Sequence, residues 1–140
     1  MLKTVESFET EMKNVGLKYR QPVEGNNGDY VVNCGIKGKY TAYETVFIFS
    51  PDEHTISIQA INLLSIPIDR RFEILELINT LTGEYRWIKF CIDQENFLRI
   101  QLDAVVNPET CGKIAVELLL RTMKIIDDVY PKFMKAVWAD

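Results

Sequence analysis

Apolar residues follow two rhythms along the chain. Leu2, Val5, Phe8, Met12 and Val15 recur at three- and four-residue steps, the period of one helix face, and Gly16 follows as a stop. From Tyr30 the pattern changes to runs of β-branched and aromatic residues: Tyr30 to Ile36, Tyr40 to Phe49 and Thr55 to Leu64. Turn residues bracket them, Gly25-Asn26-Asn27-Gly28-Asp29 before the first run and Pro51-Asp52-Glu53-His54 between the second and third. Trp87 to Ile92 and Phe97 to Val106 flank Asp93-Gln94-Glu95-Asn96 as a later pair. Connections this short join antiparallel strands, because a parallel crossover needs a dozen residues or more.

Two more helices are expected. Asp69 is placed to cap one in which Phe72, Leu75, Ile78 and Leu81 are read as one face, with Gly83 near its end. Asn107 and Pro108 have the residue types of a cap and a first helical position. Beyond them Leu119, Met123, Ile126, Tyr130, Phe133 and Val137 alternate four- and three-residue steps as a seam. Pro131 inside it should kink the helix or end it early. The order α-β-β-β-α-β-β-α, with hairpin-joined strands, predicts an α+β two-layer sandwich of mainly antiparallel sheet with helices on one face, as one domain over residues 1–140.

Alternation says which side of the sheet is wet. Leu98, Ile100, Leu102, Ala104 and Val106 share one face of the last strand, and Phe97, Arg99, Gln101, Asp103 and Val105 share the other. Ile88, Phe90 and Ile92 likewise oppose Trp87, Lys89 and Cys91, and Ile56, Ile58 and Ala60 oppose Ser57, Gln59 and Ile61. One solvated face is normal for antiparallel sheets. Here Trp87, Phe97 and Ile61 share parity with Lys89 and Arg99. These five are candidate partner-binding residues, because Trp and Arg dominate binding hot spots; scattered surface hydrophobes are the plainer reading. The last helix also has two readings: its seam covers the chain's own sheet, or its end, at Val137 and Trp138, joins a twin seam in a homodimer.

Composition narrows the class without naming a reaction. The chain has 140 residues, 47% hydrophobic and 26% charged, within the globular range. Sixteen Lys and Arg against twenty Asp and Glu give a net charge of -4, a poor balance for nucleic acid, whose phosphates attract clustered cations. No run approaches the roughly 18 apolar residues that span a bilayer. The N-terminus lacks the apolar core of a signal peptide. Cys34, Cys91 and Cys111 are odd in number and widely spaced, which suits a reducing cytoplasm better than a disulfide framework. As small hydrophobes they need no further role.

Reactive constellations are missing from the sequence. The one histidine, His54, sits in a turn, so a Ser-His-Asp triad has only that residue to use. The paired acids Asp127-Asp128 and Glu9-Thr10-Glu11 lie on helices, where adjacent side chains diverge. No catalytic, cofactor or metal residue is expected.

Several short features in order resemble the YbjN family, itself similar in fold to type III secretion chaperones. They are Ile78-Asn79-Thr80-Leu81, Lys89-Phe90-Cys91-Ile92-Asp93, Asp103 and Ile126-Asp127-Asp128-Val129-Tyr130-Pro131. Thr82 stands where many relatives have a second asparagine. The resemblance spans about Thr4 to Trp138 and implies a small, acidic, non-enzymatic homodimer that binds a segment of another protein, with no catalytic residues to carry over. The expectation is therefore a cytoplasmic protein-binding module, chaperone-like or adaptor-like. The rival is a small-ligand sensor or enzyme with a pocket between helices and sheet.

Overall fold

The computed structural model describes residues 1–138. It contains α1 (Lys3–Val15), β1 (Val23–Glu24), β2 (Tyr30–Lys37), β3 (Ala42–Phe49), β4 (Thr55–Ser65), α2 (Arg71–Glu84), β5 (Ile88–Ile92), β6 (Phe97–Val105) and α3 (Cys111–Trp138). The strands form one antiparallel sheet in the order β1-β2-β3-β4-β6-β5. The α+β architecture and the sequence of main elements are those the hydrophobic rhythm predicts. β1 is an addition: two residues carry no period, and its pairing with Val31 and Tyr30 is made by the Gly25–Asp29 turn.

Strand alternation survives folding. Val32, Cys34, Tyr43, Phe47, Phe49, Ile56, Ile58, Phe90, Leu98, Ile100 and Leu102 all lie in the core on the helix side. There they meet Val5, Phe8 and Met12 of α1 and Leu119, Ile126 and Phe133 of α3. The Phe8 ring sits 4.8 Å from Phe47 and 5.3 Å from Phe49. Gly16 ends α1 in the left-handed region at φ 73°, a conformation glycine enters without steric cost. Val15, expected on the buried face, is 47% exposed beside that stop.

The second helix departs from expectation. Its buried residues are Ile74 and Leu81, whereas Phe72 is 71% and Leu75 44% exposed. Residues three apart rotate back by roughly 60° per step, so Phe72 and Leu81 end on opposite sides of the helix. Asp69 does not cap it either: that residue lies in a 3-10 turn, Ile68–Arg70, and the N-cap position is Arg70, with no side-chain cap bond.

In α3 the Asn107 cap is present. Its Oδ1 accepts the N–H of Glu109 at 2.9 Å and of Thr110 at 3.0 Å, and its carbonyl accepts Cys111 N–H. Regular helix begins at Cys111, one turn beyond Pro108. Pro131 does not end α3, which continues to Trp138. Proline withholds the N–H that the Asp127 carbonyl would accept, but Phe133 and Val137, buried in the core, hold the last turns in place. Among the described residues no helix is long and apolar enough to cross a membrane.

Candidate functional site

The face of the sheet opposite the helices carries most of the candidate residues. Val46, Ile48, Ile61 and Phe97 are half-buried on it, interleaved with paired charges. Lys89 Nζ lies 3.0 Å from Asp103 Oδ2, and Arg20 lies 2.9 Å from Glu44. Burial acts to raise the Asp103 carboxyl, but hydrogen bonds from Gln101 and Lys89 outweigh it and hold the group below its ordinary range.

A bulge divides this face. The β4–β6 register shifts between Ala60 and Leu64, and Asn62 takes φ 53°. The extra backbone sits across from Arg99, because Ile100 pairs with Ala60 and Leu98 with Leu64. Two recesses of about 580 and 590 Å³ open on either side and share Ile61 and Asn62. Glu44 borders one; Arg99 and Cys91 border the other. Glu44 Oε2 and Arg99 Nε are buried without a hydrogen-bond partner.

The structure brings Ile61 and Arg99 together. Phe97 is two residues from Arg99 on the same strand face, and Lys89 is cross-strand from Gln101. Trp87 is set apart. The β5–β6 register places it level with Asp103, six residues along the strand from Phe97 and therefore about 20 Å away. Its φ of 60° interrupts the strand. The indole, 66% exposed, lies beneath the Arg121 guanidinium at 5.6 Å, beside α3. A groove of about 400 Å³ runs there between Trp87, the end of β6 and Ile114, Leu118 and Arg121 of α3.

Backbone edges add a second kind of surface. β5 is the last strand of the sheet. Asp93 N–H donates to Phe97 C=O, which makes Cys91–Arg99 and Lys89–Gln101 the mutually bonded pairs. Ile88, Phe90 and Ile92 consequently aim their N–H and C=O groups away from β6. On α2 and the turn before it, Ile68, Phe72 and Leu75 are exposed at 81%, 71% and 44%. Reading the face of α2 by three-residue steps alone concealed that stripe.

At the other candidate position, Val137 is 6% exposed and belongs to the chain's own core, while Trp138 is 74% exposed. The α3 seam thus covers its own sheet, and of the two residues only Trp138 is presented outward.

No reactive geometry forms around the remaining candidates. His54 is exposed in the β3–β4 turn, where its backbone N–H donates to Asp52 Oδ1 at 3.1 Å. Asp127 Oδ1 accepts Lys39 N–H, and Glu9 accepts the Tyr19 hydroxyl, so both acids act as structural acceptors. Burial pushes the Cys34 thiol up to about 11 and the Cys111 thiol up to about 12, which removes their thiolate nucleophilicity near neutrality. Among the described residues no group of three or more His, Cys, Asp or Glu side chains could hold a metal ion.

No curated protein and no solved structure matches the chain. A family model does, over residues 4–133, and its description is "putative bacterial sensory transduction regulator". That match takes in the whole sheet, α2, α1 from Thr4 and α3 as far as Phe133, including the hairpin that carries Lys89, Arg99 and Asp103; Val137 and Trp138 lie beyond it. The chain belongs to the YbjN family.

Proposed function

We propose that this protein is a non-catalytic, cytoplasmic binding module, an adaptor or chaperone-like regulator that holds a segment of another protein and works as a homodimer. The observation that carries the reading is the sheet face without a helix on it, where Ile61, Phe97, Val46 and Ile48 lie among charges that already pair with each other. Such a face can bury apolar side chains of a partner while Lys89 stays paired with Asp103 and Arg20 with Glu44. Backbone groups at the β5 edge can extend hydrogen bonding to an incoming strand. The family's description as a regulator agrees with a binding role. Photo-crosslinking in cells tests it. A photoreactive residue at Lys89 should give a discrete adduct with another protein, whereas one at Lys113 on the solvent side of α3 should not. Equal labelling from both positions, or none from either, overturns the reading.

A second reading rests on the unpartnered Glu44 Oε2 and Arg99 Nε beside the two recesses. In that case the Ile61–Asn62 bulge receives a small polar ligand that supplies the missing partners. A thermal-shift screen of metabolites separates the two, since a ligand bound by the folded state raises Tm through linkage.

A further inference from the structure

The sheet is missing one strand segment, and its place is lined for an apolar chain. β6 runs to Val105, but β5 pairs with it only from Leu98 to Leu102. Asp103, Ala104 and Val105 are paired to β4 on one side, with no strand on the other. The interruption is Trp87, whose positive φ turns the incoming chain out of line just where β5 would have continued.

The backbone of that segment points into the gap. Val106 N–H donates to His54 C=O, so even-numbered residues here bond toward β4. Asp103 and Val105 therefore direct their N–H and C=O groups toward the vacant position. Three residues of strand cover about 10 Å.

The walls define what would fill it. A strand residue opposite Ala104 would project to the helix side, where Ala104 is small and Ile114 and Leu118 supply an apolar wall. Trp87 closes one end at 66% exposure, and Val105, 81% exposed, flanks the other. The charges at the rim are already matched: Asp103 with Lys89 at 3.0 Å, and Arg121 with Glu117 at 2.8 Å. An ion in the occupant would have no free counter-charge, so charge complementarity selects an uncharged one.

We propose that the gap between Trp87 and the end of β6 is the docking position for an extended, uncharged segment of a partner polypeptide, which adds as a short strand to β6 and inserts one apolar side chain opposite Ala104. The proposal rests on the protein-binding reading above and gives it a place and a chemistry.

The test uses the full chain, labelled with ¹⁵N, and a threonine-valine-threonine tripeptide with both ends capped. The amides of Asp103 and Val105 and the Trp87 indole N–H should shift on titration. N-methylation of both threonines, whose N–H groups would face β6, should abolish binding. Trp87→Gly should weaken it by about tenfold with Tm maintained, because glycine suits φ 60°. Shifts confined to Ile88, Phe90 and Ile92 or to the open face overturn the proposal, as do unimpaired binding of the N-methylated peptide and the absence of shifts at millimolar peptide. Conversion of a dimer to a monomer by Trp87→Gly, without peptide, would also overturn it by showing that a second copy fills the gap. If the Lys89 crosslink forms while these shifts fail, only this site falls; if neither appears, the binding reading falls with it.

Discussion

The carboxylate of Glu53 accepts the backbone N–H of Thr4 at 3.3 Å, and that of Lys3 as well, across 49 and 50 positions of sequence. The residue at the N-cap of α1 is Leu2, which offers no side-chain acceptor. A turn between β3 and β4 thus does the work usually done by a neighbouring Ser or Asp. Its negative charge also faces the positive end of the helix dipole. Glu53→Ala should cost about 1 kcal/mol of stability. Glu53→Gln should cost less, since the amide oxygen still accepts while the charge is lost. Urea unfolding of the two variants measures the difference; equal losses would mean that the charge carries the whole effect and a neutral acceptor contributes nothing, and no loss in Glu53→Gln would mean that the charge contributes nothing.

Glycine-to-alanine exchange should have opposite signs in two helices. At Gly112 a Cβ would lie 2.3 Å from the carbonyl oxygen of Ser7, where α1 and α3 meet, and Gly112 N–H donates to Ser7 Oγ at 2.9 Å. The obstacle is backbone, so the helices must move apart. Gly112→Ala should destabilise by about 1–3 kcal/mol or more. At Gly83, on exposed α2, an added Cβ meets nothing within 4 Å. Gly83→Ala should stabilise by about 0.5–1 kcal/mol. Thermal and urea melts of both variants provide the check.

The same contrast between local cue and tertiary placement explains what was legible in the sequence. Strand faces were readable because a side-chain period of two leaves no room for drift, and Leu98, Ile100 and Leu102 sit where alternation puts them. The patch was less so. Nothing in the order of residues announces that a tryptophan will adopt φ 60° beside α3, and its distance from Phe97 follows from the β5–β6 register, which puts the two at opposite ends of the hairpin. Asn62 at the bulge had a cue, since asparagine tolerates the left-handed region, but it lay within an otherwise continuous strand. The segments behind the family resemblance prove to be joints. Asp93 Oδ1 accepts the N–H groups of Glu95 and Phe97 in the hairpin turn, Asp127 anchors Lys39, and Asp103 holds Lys89. They tie strand to strand and hairpin to helix, and so report fold more directly than function.

The three thiols should differ in reactivity. Cys34 and Cys111 are buried, while Cys91 is half-exposed on the open face. At pH 8 one thiol per native chain should react with an aromatic disulfide reagent, and three in denaturant. The raised pKa values also set an alkaline limit. Below pH 9, where free thiols are protonated in both states, burial imposes no ionisation penalty. Above it the unfolded thiols ionise first, so stability should fall as pH rises from 9 toward 11 and 12. Cys111→Ala should flatten that decline; an unchanged slope would assign it to other groups.

The end of α3 separates folding from assembly. Val137 is 6% exposed and Trp138 74% exposed, one residue apart. Truncating a buried valine removes core contacts, so Val137→Ala should lower stability by about 1–3 kcal/mol. Trp138→Ala removes no core contact and should leave the urea midpoint unchanged. If the exposed indole lies in a two-fold contact, as the homodimer proposal has it, light scattering should move from twice 16.2 kDa toward 16.2 kDa at micromolar concentration in that variant alone. A dimer that persists in Trp138→Ala excludes this helix end as its interface. The exposed stripe of Ile68, Phe72 and Leu75 then becomes the surface to substitute next. A wild-type chain that is monomeric throughout that range removes the dimer from the proposal altogether, and leaves any binding to a single copy of the sheet.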